Sequence, residues 1–289
     1  MLRKSFLIAT LIIFCNPFIL SQNKKLTLEN IFDSEIFDSK NVENIQWLPD
    51  GSAFTFTKKN SQNNLNDIYK HEVFSGKEEL LVSSNKLIYD GFPIQMSSYS
   101  WTSDGKYLLI AGPVVSIWRH SIQAPYYLYE IETKKILALS NNNPHLRNVK
   151  LSPDGKWVGF VRDHNIFIVE LATDEETQLT EDGSENILNG EFDWVYEEEF
   201  SISDGWQWSL DSKKIAFWKF DQSRVNNFYL IDEMDIYNRV YMLKYPKAGE
   251  QNSIVKIGVI DIEEDETNWM NLGENDDIYI PRIFWTNSS

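Results

Sequence analysis

The sequence predicts an all-β chain built as an incomplete β-propeller, on three observations. A tight-turn motif recurs four times, its copies are almost evenly spaced, and a second hairpin follows most of them. Repeats of this kind, each too small to bury its own apolar face, are the signature of an architecture assembled by stacking.

The four copies are Trp47-Leu-Pro-Asp-Gly-Ser-Ala-Phe-Thr-Phe, Trp101-Thr-Ser-Asp-Gly-Lys-Tyr-Leu-Leu-Ile, Leu151-Ser-Pro-Asp-Gly-Lys-Trp-Val-Gly-Phe and Trp208-Ser-Leu-Asp-Ser-Lys-Lys-Ile-Ala-Phe. Each reads as the end of one strand, a turn at Asp-Gly (Asp-Ser in the fourth) and a following strand. Gly enters such a turn at positive φ without steric penalty. The turn aspartates, Asp50, Asp104, Asp154 and Asp211, lie 54, 50 and 57 residues apart. Second hairpins run from Asp67 through Ser75-Gly76 to Glu79, from Tyr127 through Glu132-Thr133 to Ile136, and from Asn165 through Thr173-Asp174 to Thr177. Two hairpins per repeat make a four-stranded propeller blade. An open β-sandwich with coincident turns is the alternative, and it leaves the matched second hairpins unexplained.

Four blades are present. Ile280-Pro-Arg-Ile-Phe-Trp285 then reads as the strand entering a fifth, because Trp285-Thr-Asn-Ser aligns with Trp101-Thr-Ser-Asp. The sequence is therefore expected to stop inside a repeat, as a truncated product or an incomplete sequence would.

The N-terminus reads as a signal peptide over residues 1–21: Arg3 and Lys4, then a 15-residue, mostly apolar run from Phe6 to Leu20, then Ser21. That run is shorter than the roughly 20 residues of a spanning helix. The expected localisation is export, to the periplasm or outside the cell, with an uncleaved N-terminal anchor as the lesser reading. Lipidation at Cys15, the sole cysteine, ranks lower because Phe14 precedes it. Losing Arg3 and Lys4 takes the formal charge from −16 to −18 and leaves no cysteine to form a disulfide. Nucleic acid and anionic membranes, which need basic patches, are poor partners for so acidic a chain.

One long connection, roughly 180–207, lies between the third and fourth blades, and long connections in compact folds are usually functional. It contains Asn189-Gly-Glu-Phe-Asp-Trp-Val-Tyr-Glu-Glu-Glu-Phe200. Glu197, Glu198 and Glu199 stand among Phe192, Trp194, Tyr196 and Phe200, so the carboxylates are expected against an apolar wall that strengthens their hold on a cation. In a helix, successive side chains point about 100° apart. Two of the three could then converge on one ammonium while the third points elsewhere. From spacing alone, an acidic run on a solvated face stays open.

Other chemistries find less support. His71, His120, His145 and His164 show no metal-ligand spacing. The acidic stretch from Asp261 fails as a calcium loop, since Glu266 occupies the position where the sharp turn demands Gly. No phosphate-binding loop occurs. No metal and no cofactor are expected.

Asp193-Trp-Val-Tyr-Glu-Glu-Glu199 resembles the double-glutamate motif of the dipeptidyl peptidase IV family, with Trp118-Arg119-His120-Ser121 upstream and Tyr245-Pro-Lys-Ala-Gly249 downstream as collinear matches. The resemblance runs from about Leu26 to Trp285, a little over a third of a full family member. It implies an eight-bladed propeller docked on an α/β-hydrolase domain, and for the full-length member a homodimer. It implies that Glu198 and Glu199 bind a peptide's α-ammonium and that Arg119 contacts the carbonyl of the second residue and braces the glutamates. Residues 22–289 would then be part of the N-terminal propeller, and peptide N-termini and the hydrolase domain its partners.

Catalytic residues are expected to be absent. No Gly-x-Ser-x-Gly elbow occurs in the 289 residues, and strands do not alternate with long amphipathic helices. The expected function is the substrate-recognition part of a secreted serine-type peptidase releasing X-Pro or X-Ala dipeptides, inactive alone. The alternative is a stand-alone, non-catalytic propeller module that binds peptides or proteins.

Overall fold

The computed structural model describes residues 26–33, 42–264 and 266–286. The expected signal segment, residues 1–21, lies outside the described residues. The chain divides into an N-terminal unit, residues 1–41, and a large unit, residues 42–289. In the first, Thr27 caps a short helix, α1 (Leu28–Phe32), by accepting the Asn30 N–H at 3.2 Å.

The large unit is built almost wholly of antiparallel strands. Blade one comprises β1 (Glu43–Trp47), β2 (Ala53–Lys59), β3 (Asn66–Glu72) and β4 (Glu78–Val82), paired in chain order. A small hairpin, β5 (Ile88–Tyr89) with β6 (Phe92–Pro93), leads to blade two. That blade pairs β7 (Ser98–Trp101) and β8 (Tyr107–Ala111) with β11 (Tyr126–Glu130) and β12 (Ile136–Ala138). Between its halves stands a separate hairpin, β9 (Val115–Ser116) and β10 (Ile122–Gln123). Blade three is β13 (Arg147–Leu151), β14 (Trp157–Arg162), β15 (Asn165–Glu170) and β16 (Glu175–Gln178).

Blade four differs. Its first position is filled by two short strands, β17 (Ile187–Asn189) and β18 (Trp206–Trp208), both paired with β19 (Lys214–Asp221). A hairpin, β20 (Asn227–Asp232) with β21 (Arg239–Lys244), is inserted before β22 (Ile254–Asp261) and β23 (Glu266–Trp269) complete the sheet. The acidic segment is thus an excursion within the first strand of blade four and not a connection between blades, as the spacing suggested. The reason is local: β17 continues the ladder on β19 that β18 begins, which only the register reveals.

Blade three shows why its strands read as near-continuous apolar runs. Val158, Phe160, Phe167 and Val169 pack with Leu109 and Leu128 of blade two, whereas Val161, Ile166 and Ile168 pack with Trp206, Trp208, Ile215 and Phe217 of blade four. Successive residues point to opposite faces, and both faces are covered. Blades are also joined through side chains. Tyr99 Oη and Trp101 Nε1 donate to the buried Thr55 Oγ1 of blade one at 2.8 and 3.0 Å. Trp206 Nε1 donates to Asn148 O at 3.0 Å.

Three of the four repeat turns share one device; in the first, Leu48 replaces the hydroxyl and Asp50 accepts from Ser52 N–H and Oγ–H instead. A hydroxyl two residues before the turn aspartate (Thr102, Ser152 or Ser209) donates to it at 2.6–2.7 Å, and the aspartate accepts a backbone N–H two residues on. The fourth turn has Ser212 where the others have Gly, at φ 64°. Its hydroxyl accepts the Asp154 N–H of the neighbouring blade at 3.0 Å, which offsets the strain.

Residues 280–285, expected as a strand, form no ladder. Ile278, Ile280 and Ile283 instead pack on Trp218, Phe220, Val255 and Ile257 of blade four. Trp218 Nε1 donates to Ile280 O at 2.7 Å. Among the described residues, no helix is long and apolar enough to cross a membrane.

Candidate functional site

The excursion, residues 190–205, leaves and rejoins the sheet at a single residue. Gly190 N–H donates to Trp218 O at 2.9 Å, and Trp218 N–H donates to Gly205 O at 3.0 Å. The two ends touch: a Cβ on Gly205 would stand 2.5 Å from Glu191 N, so only Gly fits. Asn148 Nδ2 of blade three donates to both Gly190 O and Ser203 O, at 3.0 and 3.1 Å. A loop closed this tightly behaves as a rigid platform.

On the platform sits α2 (Trp194–Phe200). Asp193 caps it: one carboxylate oxygen accepts the Tyr196 N–H at 3.0 Å and the other accepts Ser253 Oγ–H at 2.6 Å. Burial pushes the Asp193 carboxyl above the usual range, against the pull of those bonds. Ser201 ends the helix in the left-handed conformation. Beneath it, Tyr196 stacks on Phe192 (centroids 5.5 Å, 9°) and meets Phe220 edge-on at 4.7 Å. The aromatic residues that flank the glutamates in sequence thus form a floor under the helix.

The three glutamates have three environments. Glu197 is 1% exposed, and its Oε1 accepts the backbone N–H of His120 at 2.7 Å and of Ser121 at 2.8 Å. Glu198 is partly buried and pairs through Oε1 with Arg119 Nη2 at 2.8 Å. Glu199 is exposed. It lines a cavity of about 450 Å³ with Trp194, Phe200, Tyr245, Asn252 and Tyr279. The site residues expected from the sequence therefore include one bonded pair, Arg119 and Glu198, with Glu199 one residue further round the helix. Glu197 instead turns into the protein, toward the β9–β10 hairpin.

Magnitudes rank these contacts. Arg119 is 69% exposed on its side chain, and an ion pair so exposed contributes about 0–1 kcal/mol. Hydrogen bonds to a buried charged group contribute about 1.5–3 kcal/mol each. The link between α2 and the β9–β10 hairpin is thus carried chiefly by Glu197.

Sequence reasoning missed two features. The segment Tyr245–Gly249, given no role from the sequence beyond its collinear match, forms a wall of the Glu199 cavity, with Tyr245 against Trp194 at 4.7 Å. Glu191, 1% exposed, lies between Arg147 and His164 of blade three and bonds both. Its hydrogen bond to His164 holds that imidazole above the usual range, against partial burial. No periodicity marks either feature, because each joins segments distant in the chain. An apolar cavity of about 320 Å³ lined by Gln207, Ala216, Ile257, Met270 and Phe284 among others has no ionisable lining residue and offers nothing to an ammonium group. The stretch at Asp261 is spent internally: its carboxylate bonds Lys214 and accepts the Glu263 and Glu264 N–H groups.

Comparison with known proteins bears on the same segments. The family model for the dipeptidyl peptidase IV N-terminal region matches residues 102–289. A Talaromyces marneffei protein described as "Probable dipeptidyl-aminopeptidase B" is 34% identical over 72% of this chain and 25% of its own length. A Talaromyces stipitatus protein of the same description is 29% identical over 93% of this chain and 33% of its own. The crystal structure of Porphyromonas gingivalis dipeptidyl peptidase 4 superposes with a TM-score of 0.78 at 34% identity, covering 90% of this chain and 37% of that one. The chain spans about a quarter to a third of the length of the curated relatives named here.

Proposed function

The chain belongs to the dipeptidyl peptidase IV family, and on that premise we propose that it is the substrate-recognition part of an exported serine-type dipeptidyl peptidase that releases X-Pro or X-Ala dipeptides. The observation that carries this reading is the pairing of Glu198 on α2 with Arg119, beside the exposed Glu199. A free α-amino group has a pKa near 8 and is charged at neutral pH. In the proposal, Glu198 and Glu199 accept its N–H donors, and Arg119 donates to the carbonyl of the second residue. Anchoring the terminus at a fixed point meters the chain, so that whatever group attacks finds the bond two residues in. This is proximity and orientation, not bond chemistry.

The setting of Glu198 supports that role. Glu198, partly buried on α2, is less screened than a carboxylate in open water, and charge-assisted hydrogen bonds are the stronger kind. These 289 residues contain no Gly-x-Ser-x-Gly elbow, so the chain's own part in the reaction is binding.

Calorimetric titration of the full chain with a Gly-Pro-initiated peptide, free and N-acetylated, tests the proposal. The free form should bind and the acetylated form should not, and Glu198→Ala with Glu199→Ala should abolish the difference. Equal binding of both forms by the wild type would overturn it.

A further inference from the structure

The turn that carries Arg119 has little holding it in place. It spans Ile117–Ser121, closed by Ile117 N–H donating to Ser121 O at 2.9 Å and flanked by a ladder of two residue pairs. Trp118 and Arg119 are exposed, at 36% for Trp118 and 69% for the Arg119 side chain. Among the described residues, the only side chain that bonds the backbone of this turn is Glu197. Successive N–H groups in a turn form a concavity that takes an anion, and here His120 and Ser121 present theirs to one oxygen of Glu197. The carboxylate is 76 and 77 residues away in sequence and buried. Its neighbour in the chain, Glu198, receives the Arg119 guanidinium.

We infer that Glu197 is a positioning residue: by clasping the His120 and Ser121 N–H groups it sets the backbone from which Arg119 reaches Glu198. The functional half of this inference rests on the recognition reading of Arg119 given above; the structural half does not. Two consecutive glutamates then act as a unit, the first fixing the backbone of the turn and the second its side chain. Both hydrogen bonds converge on one oxygen, so its negative charge matters. Gln keeps that oxygen but weakens the acceptor, whereas Ala leaves two donors without a partner.

The test uses the full chain as wild type, Glu197→Ala, Glu197→Gln, Arg119→Ala and the double variant Glu197→Ala/Arg119→Ala. Amide hydrogen exchange at His120 and Ser121 should accelerate about tenfold or more in Glu197→Ala, less in Glu197→Gln, and not in Arg119→Ala. The Arg119 Nε–H resonance should move toward the free-arginine position in Glu197→Ala although Glu198 is intact. Affinity for the free Gly-Pro peptide should fall by about tenfold in both single variants, with the double variant no weaker than Arg119→Ala. Unchanged exchange at His120 and Ser121 in both Glu197 variants, or an unmoved Arg119 resonance, overturns the structural half. Additive affinity losses in the double variant overturn the functional half. If the wild type bound no peptide, the recognition reading and the functional half would fall together. The exchange and resonance data would still decide whether Glu197 places Arg119.

Discussion

The hydroxyl of Tyr196 accepts the backbone N–H of Ile280 at 2.7 Å, tying α2 to a segment 84 residues further along. Burial pushes the Tyr196 phenol up to about 12, so it stays protonated across the working pH range of any peptide-binding site. The acidic helix is thus fixed from below by an aromatic stack and at its side by a chain that forms no ladder of its own.

Tyr196→Phe keeps the stack on Phe192 and removes only this acceptor. Leaving this partly buried N–H unpaired costs about 1 kcal/mol, the low end of the range for a lost partner. The urea midpoint should fall accordingly without a change in slope, and exchange at Ile280 should quicken.

Asp193 distinguishes capping from charge. Asp193→Ala removes the acceptor for Tyr196 N–H and Ser253 Oγ–H together, at about 2–3 kcal/mol from the cap and the orphaned donors. Asp193→Asn keeps the capping oxygen, and because burial already disfavours the charged form it should cost less than half as much. Thermal unfolding of the two variants measures the difference.

His164 gives a pH dependence with a defined sign. Its hydrogen bond to Glu191 raises the folded-state pKa above the unfolded value near 6.5. The stabilisation is fully present below pH 6.5 and is lost as pH rises through the folded value. Arg147 opposes the shift and Asp163 assists it. Wild type should therefore lose stability relative to His164→Gln as pH rises above 6.5. Parallel unfolding curves for the two proteins across that range would refute the assignment.

Gly159 of β14 faces the wholly buried Trp206, and a Cβ there would stand 2.5 Å from the indole Cη2. The indole is held by its bond to Asn148 O and cannot withdraw. Gly159→Ala should cost about 1–3 kcal/mol by overpacking, measured by chemical denaturation, with Trp fluorescence reporting the shift.

Much of this molecule was legible in one dimension. The turn motif at Asp50, Asp104, Asp154 and Asp211 marked the blades because a turn is a local event, decided by a hydroxyl, a carboxylate and a residue that accepts positive φ. The acidic segment was legible too, since an N-cap aspartate and an aromatic-rich helix lie within eight residues.

Where those parts meet was not legible. That β17 and β18 form one interrupted strand depends on their common partner β19, and no residue of either announces it. The sequence shows three equivalent glutamates in a row. Only packing makes Glu197 a buried clasp, Glu198 a paired carboxylate and Glu199 an exposed one, because a helical step of about 100° turns each toward a different neighbour. The sequence by itself determined the elements and the chemistry available to them. The tertiary structure decided which carboxylate does what, since solvation and hydrogen-bond partners are properties of a place in the fold and not of a residue type.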